Sequence, residues 1–210
     1  MSLEVLRELV FREKFSRVFV VFSNTAATAP VFTVSTLATL GGRMDVVARS
    51  LINALWDLES QRFNTLLVAL LNGPPNPPLG LYAWRVPAGG KRSEGFFGGL
   101  ILEALSGKKV DGLLVEKGAR LVDVVSLLKG AGYPVYLLDE NGLSYANVNL
   151  EEPVAFVLGD HIGIPADLLR QVTRLVDGVI SIGRTPYLTS HCIAFVHELL
   201  DRSSRLRRHA

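Results

Sequence analysis

Asp160 and His161 set an acid beside a possible base at the end of an apolar run, Val154 to Leu158, closed by Gly159. Such a pair could move a proton for whatever binds there; it could equally be an Asx turn that ends a strand. A second apolar run, Val179-Ile180-Ser181, closes at Gly183 and continues through Arg184-Thr185-Pro186-Tyr187-Leu188. A third, Val135-Tyr136-Leu137-Leu138, ends at Asp139. A glycine at a strand end lets backbone approach a ligand closely. Neither glycine lies in a GxGxxG or GxxxxGK[ST] spacing, so a dinucleotide or phosphate cradle lacks its signature. Near the start, the polar tip Ser23-Asn24-Thr25 follows Arg17-Val18-Phe19-Val20-Val21-Phe22 and could donate to a ligand or only terminate a strand.

Cys192, the single cysteine, sits beside His191 with His197 beyond. Helix neighbours do not face one another, so a thiolate–imidazole pair is not formed by sequence adjacency. The three residues also fail the i, i+4 spacing and ligand count that zinc needs, and no metal is expected. The bland reading of Cys192 is a small core residue, and that of His197 with Asp201 is a solvated surface pair. One cysteine excludes an intrachain disulfide and fits a reducing cytoplasm.

The elements that must position these groups follow from periodicity. Helical spacing covers residues 3–15, 45–56, 96–105, 121–129, 166–175 and 188–202, and strand-like runs cover 17–23, 63–71, 79–86, 110–115, 134–138, 153–158 and 179–181. Residues 72–78 carry four prolines and form a loop. Strands alternating with helices predict an α/β fold, a single domain over residues 1–210 with a mostly parallel sheet and helices on both faces. In such sheets ligands gather beyond the carboxyl ends of strands, where all three candidate loops lie.

The 210 residues are 49% hydrophobic and 20% charged, with mean hydropathy +0.30, which excludes disorder. No apolar run reaches a membrane span and no targeting segment is recognised at the start, so no membrane partner and a cytoplasmic location are expected. A net charge of +2 does not announce nucleic acid by itself. Basic residues do cluster, at Arg12, Lys14 and Arg17, at Arg85, Lys91 and Arg92 around Gly89-Gly90, and from Arg202 to His209.

The run from Phe156 to Pro165, Ser181-Ile182-Gly183 followed by Tyr187-Leu188-Thr189-Ser190-His191-Cys192-Ile193, then His197-Glu198-Leu199, with the strand from Arg17 and Ser23-Asn24, resembles the archaeal tRNA pseudouridine N1-methyltransferases, the TrmY family of the SPOUT superfamily. The resemblance spans nearly the whole chain and is most specific in its carboxyl-terminal third. It implies a homodimer with a carboxyl-terminal trefoil knot that binds S-adenosylmethionine. The cofactor loops would be Leu137 and Leu138, then Gly159, then Ile182, Gly183, Arg184, Thr185, Pro186 and Tyr187, with Leu188 and Cys192 completing the pocket. The implied reaction methylates N1 of the pseudouridine at position 54 in the T-loop of tRNA. That nitrogen is mostly protonated at neutral pH, so a group must take its proton; Asp160 is expected to do so, His161 being the second candidate. Asn24 or Arg184 would steady charge developing on a ring carbonyl. Alternatives are the same chemistry on ribosomal RNA, a non-catalytic RNA-binding dimer, and a thiol hydrolase using Cys192.

Overall fold

A computed structural model describes residues 3–87 and 92–208, with side chains described as far as residue 203. The glycine-rich basic loop at Gly89, Gly90 and Lys91, the side chains of Arg205, Arg207 and Arg208, and His209 lie outside the described residues.

The chain runs α1 (Glu4–Glu13), β1 (Arg17–Ser23), α2 (Met44–Leu55), β2 (Thr65–Leu71), β3 (Leu79–Ala83), α3 (Glu94–Leu105), β4 (Leu113–Lys117), α4 (Leu121–Gly130), β5 (Val135–Ser144), β6 (Val154–Gly159), α5 (Ala166–Thr173), β7 (Gly178–Ser181) and α6 (Thr189–Arg208). The strands form one sheet in the order β4-β3-β2-β1-β6-β5-β7. β2, β1, β6, β5 and β7 are mutually parallel, and β3 runs antiparallel between β2 and β4. This is the mostly parallel α/β sheet that the alternating pattern predicts.

Both faces are covered, which is why the central strands read as unbroken apolar runs. Alternate residues of β1 point opposite ways. Val18, Val20 and Phe22 join Leu6 and Leu9 of α1, Val124 and Leu128 of α4 and Val172 of α5 in one core. Phe19 and Val21 join Val47 and Leu51 of α2, Phe97 and Ile101 of α3, and Ile193, Val196 and Leu200 of α6 in the other. The two cores fix the sheet's register, since a one-residue slip would exchange every side chain between them.

Among the boundaries that differ from the sequence reading, those of three strands bear on the sheet. The strand expected over 79–86 ends at Ala83, because Arg85 adopts a left-handed φ of 48° that breaks the ladder. The strand expected over 110–115 pairs from Leu113 to Lys117. β5 continues to Ser144: Leu138 and Leu143 both pair with Ile180, so residues 139–142 leave the ladder and return.

Candidate active site

Parallel pairing brings the candidate loops to one edge of the sheet. Phe22 sits opposite Gly159, Leu137 opposite Val157, and Leu138 opposite Ile180. The chain therefore leaves β1 at Ser23-Asn24, β6 at Gly159-Asp160, β5 at Leu138-Asp139 and β7 at Ser181-Ile182 within one cluster. The ends of β5, β6 and β7 line a cavity of about 450 Å³, inside the usual range for small-molecule sites. Leu137, Leu138, Leu158, Ile180 and Ile182 supply apolar wall; Gly159, Gly183, Thr185, Pro186 and Tyr187 supply loop backbone; Thr189 and Cys192 enter from the start of α6.

The loops are tied to one another. A Cβ on Gly159 would lie 2.9 Å from the Gly163 backbone, so the turn after β6 can fold back only over a residue without a side chain. Thr189 Oγ1 donates to the Gly159 carbonyl at 2.8 Å, docking α6 onto β6. Ser181 Oγ donates to the Gly183 carbonyl at 2.9 Å. Cys192 Sγ lies 3.9 Å from the Tyr187 carbonyl, and burial pushes its thiol up to about 11. At that value the thiolate is scarce at neutral pH, which argues against a thiol nucleophile and leaves Cys192 as cavity wall.

Asp160 is 8% exposed and accepts from Asn24 N (2.7 Å), Asn24 Nδ2 (2.8 Å), Ile162 N (2.9 Å) and Ser23 Oγ (3.4 Å). A carboxylate has about four acceptor sites, so these donors fill them. Asn24 gives its second amide hydrogen to the Gly163 carbonyl at 2.6 Å. Both of its side-chain donors are thus spent on bracing β1 against the loop after β6, and none remains for a ring carbonyl. His161 lines the cavity, is exposed, and has no hydrogen-bond partner among the described residues. Arg184 and Leu188 are exposed and lie outside the cavity lining, on the rim of the loop that supplies Gly183 to Tyr187.

The sequence reading missed Arg43. It begins α2 in a left-handed conformation, φ 67°, a costly state for a residue with a side chain. Gly42 before it packs so closely on Thr25 that a Cβ would lie 1.8 Å from the Thr25 carbonyl oxygen. Thr25 Oγ1 also donates to the Gly42 carbonyl at 2.8 Å. Arg43 therefore follows a glycine pinned on Thr25, and the charge of Asp160 reaches it. Its Nε and Nη2 grip the Asp45 carboxylate at 2.9 Å each, and Nη1 has no partner among the described residues. Burial pushes Asp45 up, but Arg43, helped by Arg49, overrides it and holds the carboxyl below its ordinary range. The available signal was the pair Gly41-Gly42 before a basic residue opening an amphipathic helix.

The basic clusters are largely engaged. Arg12 pairs with Glu8 and Glu13, and Arg202 with Glu198. Arg92 stacks 4.6 Å over the Trp56 ring and donates to the carbonyls of Asp57, Leu58 and Glu59. Arg17 is no surface charge: it is 3% exposed and pairs with Glu152 at 2.6 Å and Asp201 at 2.7 Å. The expectation of a solvated His197–Asp201 pair is likewise overturned. His197 is buried, its Nδ1 2.8 Å from Arg17 Nη1 and its Nε2 3.0 Å from the Ala54 carbonyl. Helix periodicity places both residues on one face of α6 but does not show that β1 and α2 cover it.

No group of three or more metal-ligating side chains occurs among the described residues, and none of their helices is long and apolar enough to cross a membrane.

A model of a family described as putative SAM-dependent RNA methyltransferases matches residues 16–205. The tRNA (pseudouridine(54)-N(1))-methyltransferase of Pyrococcus abyssi is 33% identical over 210 residues, covering 89% of this chain and 98% of that protein. Its counterpart from Thermococcus gammatolerans is 34% identical over 203 residues, covering 88% and 96%. Among solved structures, Archaeoglobus fulgidus Nep1 bound to S-adenosylhomocysteine superimposes with a TM-score of 0.62 at 18% identity, over 90% of this chain and 98% of that one, a likeness of fold. With the family model spanning most of the chain and relatives a third identical along nearly their whole length, the chain belongs to the SAM-dependent RNA methyltransferase family that includes these archaeal tRNA (pseudouridine(54)-N(1))-methyltransferases.

Proposed function

We propose that this chain methylates N1 of the pseudouridine at position 54 in the T-loop of tRNA, with S-adenosylmethionine as donor. The observation that carries the reading is the cavity itself. Three loops chosen for their place at strand ends converge on one hollow of about 450 Å³, with apolar walls and backbone groups at Gly159 and Gly183. An adenosyl ligand asks for that combination: flat apolar contacts for the base and main-chain partners for its ring nitrogens. Leu137, Leu138, Ile180, Ile182 and Cys192 would hold it, and the loop from Ile182 to Tyr187 would close over it. When bound, the donor supplies a methyl already activated on a sulfonium.

The protein's share is positioning and proton removal. Pseudouridine is joined to ribose through carbon, so its N1 keeps a hydrogen that must leave as the new bond forms. Asp160, its acceptor sites filled, is a brace fixing the two strand ends at which the base would sit. His161 stands at the cavity with its ring unengaged and takes the N1 proton directly or through water. Arg43 steadies charge building on a ring carbonyl through its free Nη1, with Arg184 available at the rim.

The same reading takes residues 1–210 as one SPOUT domain whose carboxyl-terminal chain is threaded as a trefoil knot. Supporting it are the excursion at 139–142, where a Cβ on Gly142 would lie 2.7 Å from the Ile180 backbone, and the Thr189–Gly159 tie. It also takes the protein as a cytoplasmic homodimer. Leu143, Ile162, Tyr187 and Leu188, 51–67% exposed, crowd the mouth of the site, and a second copy would cover them.

The test is methyl transfer to a T-loop RNA carrying pseudouridine or uridine at position 54, with a ribosomal RNA fragment as third substrate. Uridine uses N1 for its glycosidic bond, so transfer should occur to the pseudouridine RNA alone. Equal labelling of the uridine RNA, or preference for the ribosomal fragment, would overturn the assignment.

A further inference from the structure

The walls of the cavity are unequal in charge. Asp139, Glu140 and Asp160 line it, and among the described residues no lysine or arginine does. Asp139 and Glu140 stand on the excursion between Leu138 and Leu143, held in place by its closure on β7. Asp139 Oδ1 accepts from Asn141 N at 2.9 Å and from Asn141 Nδ2 at 3.0 Å. Its Oδ2, and the whole Glu140 carboxylate, have no hydrogen-bond partner among the described residues. Asp160 has its acceptor sites filled by Ser23, Asn24 and Ile162. The opposing positive groups among the described residues are few: the amino-terminal end of α6 at Thr189, which carries only partial charge; Arg43, whose fork is committed to Asp45; and Arg184, exposed outside the lining.

S-adenosylmethionine and S-adenosylhomocysteine differ by a methyl group and by charge. The donor carries a sulfonium, an ammonium and a carboxylate, one net positive charge. The product lacks the sulfonium and is neutral overall. In a partly enclosed site of reduced dielectric, carboxylates on the wall stabilise the first more than the second. Apolar walls and backbone partners contact both alike and cannot tell them apart.

Resting on the cofactor reading above, we propose that Asp139 and Glu140 are specificity-determining residues that make the cavity select the cationic methyl donor over its neutral product, so that the product is released more readily once the sulfonium charge is gone. The step itself balances: the methyl passes from sulfur to N1, the N1 proton leaves to His161 or through a water, carrying the positive charge with it, and the methylated base and the thioether are both left neutral.

Calorimetry on the full chain with three ligands tests this: S-adenosylmethionine, S-adenosylhomocysteine, and sinefungin, which cannot transfer a methyl but keeps a positive charge near the sulfonium's place. Both cationic ligands should bind about tenfold more tightly than S-adenosylhomocysteine at low salt, with the ratio narrowing as salt screens the carboxylates. In Asp139→Asn with Glu140→Gln, which keeps the Asn141 contacts to Oδ1, the ratio should fall toward one through weaker binding of the cationic ligands alone. S-adenosylhomocysteine should bind the variant within about twofold of wild type, which also reports that the cavity is intact. Wild-type preference for the neutral product, or a ratio unmoved by the double substitution, overturns the proposal while leaving the cofactor site standing. Failure of all three ligands to bind overturns the cofactor reading and this with it.

Discussion

Lowering the pH from 7.5 to 4.5 should weaken the fold through one side chain, His197. Arginine only donates, so the 2.8 Å contact from Arg17 Nη1 makes His197 Nδ1 the acceptor and leaves Nε2–H to donate to the Ala54 carbonyl. The ring is neutral and has no room for a second proton facing Arg17. Burial, then the charges of Arg62 and Arg17, push it down to about 3, against the weaker pull of the Ala54 carbonyl and Asp201. Because the folded value lies below the unfolded value of about 6.5, the unfolded chain binds the proton first. Stability is complete above about pH 6.5 and drains as pH falls toward 3. At pH 4.5 the unfolded histidine has gained about two pH units of proton binding that the folded one has not, a loss of about 2.7 kcal/mol. The carboxylates held below their ordinary range, Asp45, Asp57, Asp177 and Asp201, lose their contributions at lower pH, so the window is nearly clear of them. Urea unfolding at both pH values should show this loss in wild type and little of it in His197→Gln. An equal loss in the variant would refute the assignment of the pH dependence to His197. If the variant does not fold, NMR titration of wild type should find one imidazole that stays neutral throughout this window, and its protonation near pH 6.5 would be the refuting result.

Further expectations concern the site. Asp160→Asn puts an amide against donors that need an acceptor, at a cost of about 1–3 kcal/mol at this junction; calorimetry and turnover should fall together, whereas lost turnover at unchanged donor affinity would restore Asp160 as the base. Gly159→Ala drives a Cβ to within 2.9 Å of the Gly163 backbone and should weaken S-adenosylmethionine binding by an order of magnitude or so; unchanged affinity would show that this turn does not shape the pocket. Arg43→Lys keeps the charge but loses the fork on Asp45, and should lower kcat/KM for RNA with donor affinity intact; a fall in donor affinity instead would move Arg43 to the cofactor side. Cys192, its thiol raised to about 11, should react slowly with iodoacetamide at pH 7.5 and more slowly still with donor bound; rapid alkylation would contradict the half-buried, protonated thiol.

What could be read in the sequence was whatever depends on local pattern. Val18 to Phe22 and Val154 to Leu158 are continuous apolar runs because helices cover both faces, and glycines at 159 and 183 marked where chain leaves the sheet. Strand-end logic then selected the loops that the parallel register gathers. What it could not show depends on partners far along the chain. Arg17 and His197 are 180 residues apart, and nothing local says that one fills the other's acceptor. Asp160 and Asn24 each looked available for chemistry until their mutual bonds were seen. Arg43 owes its place to Gly42 lying on Thr25, a contact made across a loop whose course has no periodicity to read.

The position of a bound methyl donor is the most direct test of the cofactor reading. A crystal structure grown with S-adenosylhomocysteine should show its adenosyl group between the loops after Leu138, Gly159 and Ser181, with its sulfur toward Asp160 and His161. Density for the ligand elsewhere, or a cavity filled by the protein's own side chains at saturating ligand, would contradict it.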